Sequence, residues 1–363
     1  MSTDNVVITG IGAITPVGEG KELFWQGLAT KSCGMRPITL FDTAQYRFQQ
    51  AGEITDFDPK SYLGKKGLRY LNRTTTLLMS SAYLCLQDAA IKNENREYLC
   101  YAPEKLGLAL GTTWGIFHSI SAFDTESLLE GPQFVSPMAF ANTVINAPAG
   151  FLSIKEDIQG FNVTVSTGYN ASLDAIGLAC NYLQNNRVDC ILAGGAEEFC
   201  EELYLAFLKN GTAFSEDCFP SEGSCIFSLE RKKDALNRNA QIYGEVVGYG
   251  NTFSGRPEGL ERAIQLALQD ADIQADKIDH IILSTNLDHI EKNIEKEAVA
   301  SLFSPGISQT DIRPHVGDSY SAGGSMQLGA GLRLISQKLA NVLLITSIGI
   351  DGNNSALIIK GAN

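Results

Sequence analysis

Apolar residues along this chain gather in two kinds of stretch. One kind is short and continuous: Val6 to Ile8, closed by Thr9-Gly10-Ile11-Gly12; LGLALGTT, Leu106 to Thr113; NVTVST, Asn162 to Thr167; DCILAGGAEE, Asp189 to Glu198; QIYGEVVGYG, Gln241 to Gly250; KIDHIILSTN, Lys277 to Asn286; NVLLITSIG, Asn341 to Gly349; and SALIIKG, Ser355 to Gly361. Several of these runs lack polar alternation, which predicts strands buried on both faces. The other kind repeats at helical spacing: LFWQGLA, TTTLLMSSAYLCLQDAAI (Thr74 to Ile91), SLDAIGLACNYLQNN, LERAIQLALQDADI (Leu260 to Ile273) and GGSMQLGAGLRLISQKL. Strand and helix patterns that recur in this way predict an α/β protein of two similar halves. The change of pattern near Gly248 to Gly255 divides the chain into residues 1–247 and 248–363, with no low-complexity linker between them.

Composition narrows the function classes. With 363 residues, 44% hydrophobic and 19% charged, the chain can bury a large core. No apolar run is long enough to span a bilayer. The opening MSTDNVVITGIG lacks the basic and apolar regions of a secretory signal, so a cytoplasmic protein is expected. A formal net charge of -13 argues against nucleic acid or an anionic membrane as partner. The eight cysteines, Cys33, Cys85, Cys100, Cys180, Cys190, Cys200, Cys218 and Cys225, form no CxxC pair. Most lie in apolar surroundings and read as buried free thiols; with four histidines at no metal-type spacing, neither a metal site nor a cofactor is expected.

Taken together, several segments carry a resemblance to one family. VVITGIGAITPVGEG, FDTAQYRFQQAGEITDFDPKSYL, ILAGGAEE, IYGEVVGYG and the ending SIGIDGNNSALIIK look like successive motifs of the β-ketoacyl-acyl carrier protein synthases. The resemblance covers nearly the whole chain. It implies the thiolase fold, two similar halves in a layered αβαβα architecture. In the family, a strand delivers a cysteine, inside VSTACASG, to the start of a helix. Backbone amides and the helix N-terminus there stabilise a thiolate and then an oxyanion. Two histidines and a lysine assist decarboxylation of the extender unit.

Carried onto this chain, that pattern is degenerate. VSTGYNAS places Tyr169 where the cysteine belongs. A phenol has a pKa of about 10 and is a poor acyl carrier. Alignment back from IEKEA places Ser284 at the first histidine, and RPHVGDSYSAGG places Asp318 at the second and Arg313 at the lysine. An anionic Asp318 would oppose an enolate. His289 and His315 lie nearby in sequence and could replace a lost histidine through a shifted alignment. The two phenylalanines of the family's glycine-rich ending, which gate the acyl pocket, are Ile348 and Ile350 here and are expected to fill that pocket; one glycine is Asp351. Trp114, in GTTWGIF, occupies a position that lines the acyl pocket. It reads either as ordinary core packing or, together with Tyr169, as a filled and disused pocket.

The resemblance therefore implies a chain-length factor: a ketosynthase homologue without catalytic residues that pairs with an active ketosynthase, as in type II polyketide or aryl-polyene-type systems. In the family, the strand equivalent to NVTVST pairs across a two-fold axis, and the segment from Phe134 to Gly150 lies at the same interface. Met138 and Phe140 are candidates for a wall that limits the partner's growing acyl chain, with ordinary interface packing as the alternative. Acidic acyl carrier protein is expected to dock through the partner's basic residues more than through Arg231, Lys232 or Lys233 here. The alternative function is a condensing enzyme with relocated chemistry, using Ser284, His289 or Tyr169.

Overall fold

A computed structural model of the chain describes residues 5–210, 219–284 and 289–362. Its ten principal strands form one continuous sheet, with Gly18–Glu19 paired off one of them. From one edge to the other the order is Ser308–Thr310, His280–Ile282, Val342–Ile348, Asn353–Lys360, Gly244–Phe253, Val6–Thr15, Gly223–Arg231, Cys190–Glu197, Leu106–Gly111 and Asn162–Val165. Outward from the middle, each side runs through its own strands in the same sequence: first, fifth, fourth, second, third. On both sides the outer strands pair in parallel and the inner ones antiparallel. The halves meet where Val6, Val7 and Ile8 pair antiparallel with Val246, Glu245 and Gly244. The repeat restarts at Gly244–Phe253, and the 247/248 division falls inside that strand.

The continuous apolar runs are explained by burial on both faces. Ile191 and Ala193 pack into the central core with the helices Ala171–Gln184 and Gly323–Ser336, while Cys190 and Leu192 face the helix Arg73–Asp88 on the opposite side. In the second half Leu343 and Ile345 point to the central layer and Leu344 to the helix Pro257–Ala271. Successive side chains alternate faces, so a strand that is covered on both sides has no polar positions to show. The two central helices pack on one another and touch strands of both halves, which sets the layers helix, sheet, helix, sheet, helix.

Matching glycines let the outer helices approach. A Cβ on Gly12 would lie 1.8 Å from the Ser81 carbonyl oxygen, and one on Gly250 would lie 2.3 Å from that of Ala263. The TGIG and GYG stretches therefore play equivalent parts in the two halves. The outermost strand, Asn162–Val165, has a neighbour on one side only, Leu106–Gly111, and is partly exposed. Among the described residues, no helix is long and apolar enough to cross a membrane.

Candidate functional site

The edge strand Asn162–Val165 leads into a sharp turn and then into the buried helix Ala171–Gln184. The turn needs Gly168, whose φ is +69° and where a Cβ would lie 2.6 Å from Oδ2 of Asp351. Tyr169 follows, 8% exposed. Its hydroxyl donates to Oδ2 of Asp318 at 3.2 Å, and the Tyr320 backbone N–H donates to Oδ1 of the same carboxylate at 2.8 Å. Burial pushes the Asp318 carboxyl up to about 7, against those two hydrogen bonds and the charge of Arg313.

Two of the three positions singled out by the family resemblance, Tyr169 and Asp318, thus meet directly. The third, Ser284, takes a backbone part: its N–H donates to Oε1 of Glu295 at 2.8 Å, and its hydroxyl accepts from the Ile348 N–H at 3.3 Å. Thr346 also donates to Glu295, at 2.6 Å, and burial raises that carboxyl. The neighbouring Ser347 hydroxyl reaches Oδ1 of Asn170 at 3.0 Å, which links this strand end to the Tyr169 turn. Arg313 turns to Asp311, its Nε donating at 2.8 and 2.9 Å. His315 is half-buried and its Nδ1 meets the Ser32 carbonyl oxygen at 3.0 Å, so it does not stand in for a lost histidine. His289 opens the helix His289–Leu302, and its side chain lies outside the described residues.

Next to Tyr169 the space is filled by a chain of rings. Tyr169 meets Tyr320 with centroids 6.2 Å apart; Tyr320 stacks on Phe207 at 5.3 Å and 9°; Phe207 meets Trp114 edge-on at 6.1 Å; Trp114 meets Phe117 edge-on at 5.9 Å. Cys200 and Leu203 close the cluster. Tyr320 holds this place with φ at +50°, a left-handed conformation that costs a non-glycine residue about 1–3 kcal/mol. Glu197 fixes the cluster from behind. It accepts from the backbone N–H groups of Thr113 and Trp114 and from the Ser321 hydroxyl, and burial pushes its carboxyl up to about 7. Phe207, Tyr320 and Glu197 were not singled out by the sequence reading. The available signals were a carboxylate pair closing the buried run ILAGGAEE and a tyrosine two residues past Asp318.

Ile348 and Ile350 were expected to fill the same pocket, and they do not. Ile348 shares the parity of Leu344 along Val342–Ile348, so it packs outward with Leu260, Ile264 and Ile358. Ile350 lies beyond the strand end and is 48% exposed. Trp114 does join the ring cluster.

Met138 and Phe140 sit on a short helix, Pro137–Phe140, 71% and 58% exposed, with the Phe140 ring 6.0 Å from that of Phe123. Leu128, Leu129, Phe134 and Val144 are exposed around them. The helix Phe117–Leu129 has no buried residue in the single chain. Of the candidate basic residues, Arg231 is buried against Asp189 and Asp234, and Lys232 pairs with Glu245. The described cysteines are free: Cys33 and Cys100 are exposed, and Cys85, Cys180, Cys190, Cys200 and Cys225 are buried. Cys218 lies outside the described residues.

A doubled five-strand topology around two buried helices, with a strand–turn–helix junction at its centre, defines a thiolase-like ketosynthase fold. The Beta-ketoacyl synthase N-terminal domain family matches residues 3–245. The 3-oxoacyl-acyl-carrier-protein synthase 2 of Coxiella burnetii is 30% identical over 307 residues, covering 77% of this chain and 73% of the relative. That of Vibrio cholerae is 29% identical over 307 residues, with the same coverage of 77% and 73%. Among solved structures, the ishigamide ketosynthase/chain length factor superposes with a TM-score of 0.92 at 23% identity over 100% of both chains. A ketosynthase in complex with its type II polyketide acyl-carrier protein superposes with a TM-score of 0.84 at 20% identity, over 99% of this chain and 100% of that one. The chain belongs to the β-ketoacyl synthase family.

Proposed function

We propose that this protein is a non-catalytic ketosynthase homologue, a chain-length factor, that pairs with an active ketosynthase and shapes its acyl tunnel in type II polyketide or fatty-acid-like synthesis, aryl-polyene synthesis included. The observation that carries this reading is the Tyr169–Asp318 hydrogen bond at 3.2 Å, at the head of the ring cluster. The acyl-attachment position holds a phenol instead of a thiol, and its neighbour is a carboxyl group instead of an imidazole. The space that would receive an acyl chain is occupied by Tyr320, Phe207 and Trp114. The exposed Met138 and Phe140, with the exposed Leu128, Leu129, Phe134 and Val144, support pairing with a second subunit and a wall against its product. The engagement of Arg231 and Lys232 with internal carboxylates supports carrier-protein docking through the partner. No cofactor takes part in this role.

One observation favours the alternative, a condensing enzyme with relocated residues. A carboxyl pushed up to about 7 beside a phenol is the kind of base a tyrosine nucleophile needs. Against it, an anionic Asp318 destabilises the enolate of a decarboxylating extender. The deciding experiment incubates the purified chain with acyl- and malonyl-carrier protein and reads intact mass. No adduct and no condensation product are expected. An acyl group on Tyr169 would establish the alternative.

A further inference from the structure

From Leu106 to Ile154 the chain carries no lysine and no arginine. This stretch supplies the exposed apolar face formed by Leu128, Leu129, Phe134, Met138, Phe140 and Val144. Its ionised side chains are Asp124, Glu126 and Glu130, of which Asp124 and Glu130 are exposed and Glu126 is half-buried. They lie along and just past the helix Phe117–Leu129, whose last turn has no basic residue. Carboxylates at a helix C-terminus are placed against the helix dipole, so this end of the face is short of positive charge twice over.

We propose that this rim makes the face selective for a partner other than a second copy of the chain, one that brings lysine or arginine against Asp124, Glu126 and Glu130. In a two-fold self-pair the same patch meets itself, so neither copy has a cation from this stretch to offer. Lys155, on the helix Ala147–Glu156, is the first cation beyond it. Burying the apolar face against itself would bring like charges together in a partly desolvated setting, which costs more than in free solvent. A basic rim on the partner reverses the sign, neutralises the exposed helix end and lets the same apolar residues be covered. This partner choice rests on the pairing proposed above and adds what enforces it.

The test compares the wild-type chain with the variant Asp124→Asn/Glu126→Gln/Glu130→Gln, changes along and just past a helix that has no buried residue in the single chain. Sedimentation velocity of each chain alone, at low and high ionic strength, reads self-association. Titration against an active ketosynthase of the same organism, under the same conditions, reads pairing. The wild-type chain is expected to self-associate on the order of tenfold more weakly than the neutral variant at low salt, with the gap closing at high salt. The complex with the ketosynthase is expected to weaken by a similar factor in the variant and as salt rises. A wild-type self-dimer as tight as the variant's, or a ketosynthase complex indifferent to the substitutions and to salt, overturns the rim as the selecting feature while leaving the pairing itself intact. A wild-type chain that binds no ketosynthase at either salt overturns both.

Discussion

The Tyr169 hydroxyl and the Asp318 carboxylate, 149 residues apart in sequence, meet at 3.2 Å at the centre of the fold. By the family resemblance each stands at a position where a catalytic residue is expected, and the two side chains are buried against one another. Tyr169→Phe removes the donor and leaves Asp318 with the Tyr320 N–H. A hydrogen bond to a buried carboxyl contributes about 1–3 kcal/mol, so a thermal melt near neutral pH should show a loss of that order. At the same time the carboxyl of Asp318 should rise further, because one group that favours its ionised form is gone. A melt unchanged by the substitution would show that the pair contributes nothing to stability.

Tyr169→Cys alone should not create a condensing enzyme. The thiol would lack imidazoles, since Ser284 is bonded to Ile348 and His315 faces the Ser32 carbonyl. It would also sit beside a carboxyl, which raises a thiol instead of activating it. Iodoacetamide labelling across pH, with carrier-protein assays alongside, checks both points. Turnover by this single variant at the rate of an active ketosynthase would require a base that the described residues do not supply.

Stability should fall as pH rises from about 5 to about 8. The carboxyls of Glu197, Glu198 and Asp318 are each pushed up to about 7 by burial, from ordinary values of 4.5, 4.5 and 3.8. In each case the folded form binds its proton more tightly than the unfolded chain does. The stabilisation is therefore fully present below the ordinary values and is lost as pH rises through about 7. Melting temperatures across that range, at constant ionic strength, check the direction, and Glu197→Gln should flatten the profile. A melting temperature that climbs steadily to pH 8 contradicts the assignment.

The fold was legible where a residue's type reported its environment. Continuous runs such as ILAGG and VLLITSI mark strands covered on both faces, whereas TGIG, read as the close of the first strand, lies inside Val6–Thr15, where Gly12 lets a helix approach. Motif spacing singled out Tyr169, Ser284 and Asp318, and the structure brings Tyr169 and Asp318 together. What filled the space beside them was not legible. Phe207 lies on the helix Glu201–Asn210 and Tyr320 in a different half, and their stacking at 9° depends on how those halves close. Ile348 was misplaced for a similar reason. Its side is set by strand parity relative to Leu344, which a motif alignment does not report.

Tyr320→Gly tests the ring cluster. Glycine accepts φ at +50° without strain, which would return about 1 kcal/mol. Loss of a ring stacked on Phe207 and packed against Tyr169 removes about 3–5 kcal/mol. Net destabilisation is expected, with the variant still folded. A stabilised variant would mean that the backbone strain outweighs the packing.

The proposed role as a chain-length factor predicts that bulk on the exposed face sets product size. Met138 and Phe140 project from the short helix Pro137–Phe140, and the Phe140 ring leans on Phe123 instead of on the core. Either can therefore be truncated without opening a cavity inside this chain. If one of them ends the partner's tunnel, replacement by alanine frees space for a few methylenes, and each buried CH₂ contributes about 0.8 kcal/mol. That is enough for one further extension to compete with release. Met138→Ala or Phe140→Ala, co-expressed with the ketosynthase, should shift products longer while the complex stays intact. Trp114→Ala should leave product length unchanged and lower the melting temperature, because its ring packs between Phe117 and Phe207 within this subunit. Mass spectrometry of the products, after native mass measurement of the complex, separates these outcomes. Unchanged lengths in both Met138→Ala and Phe140→Ala, with the complex intact, would place the tunnel's end elsewhere.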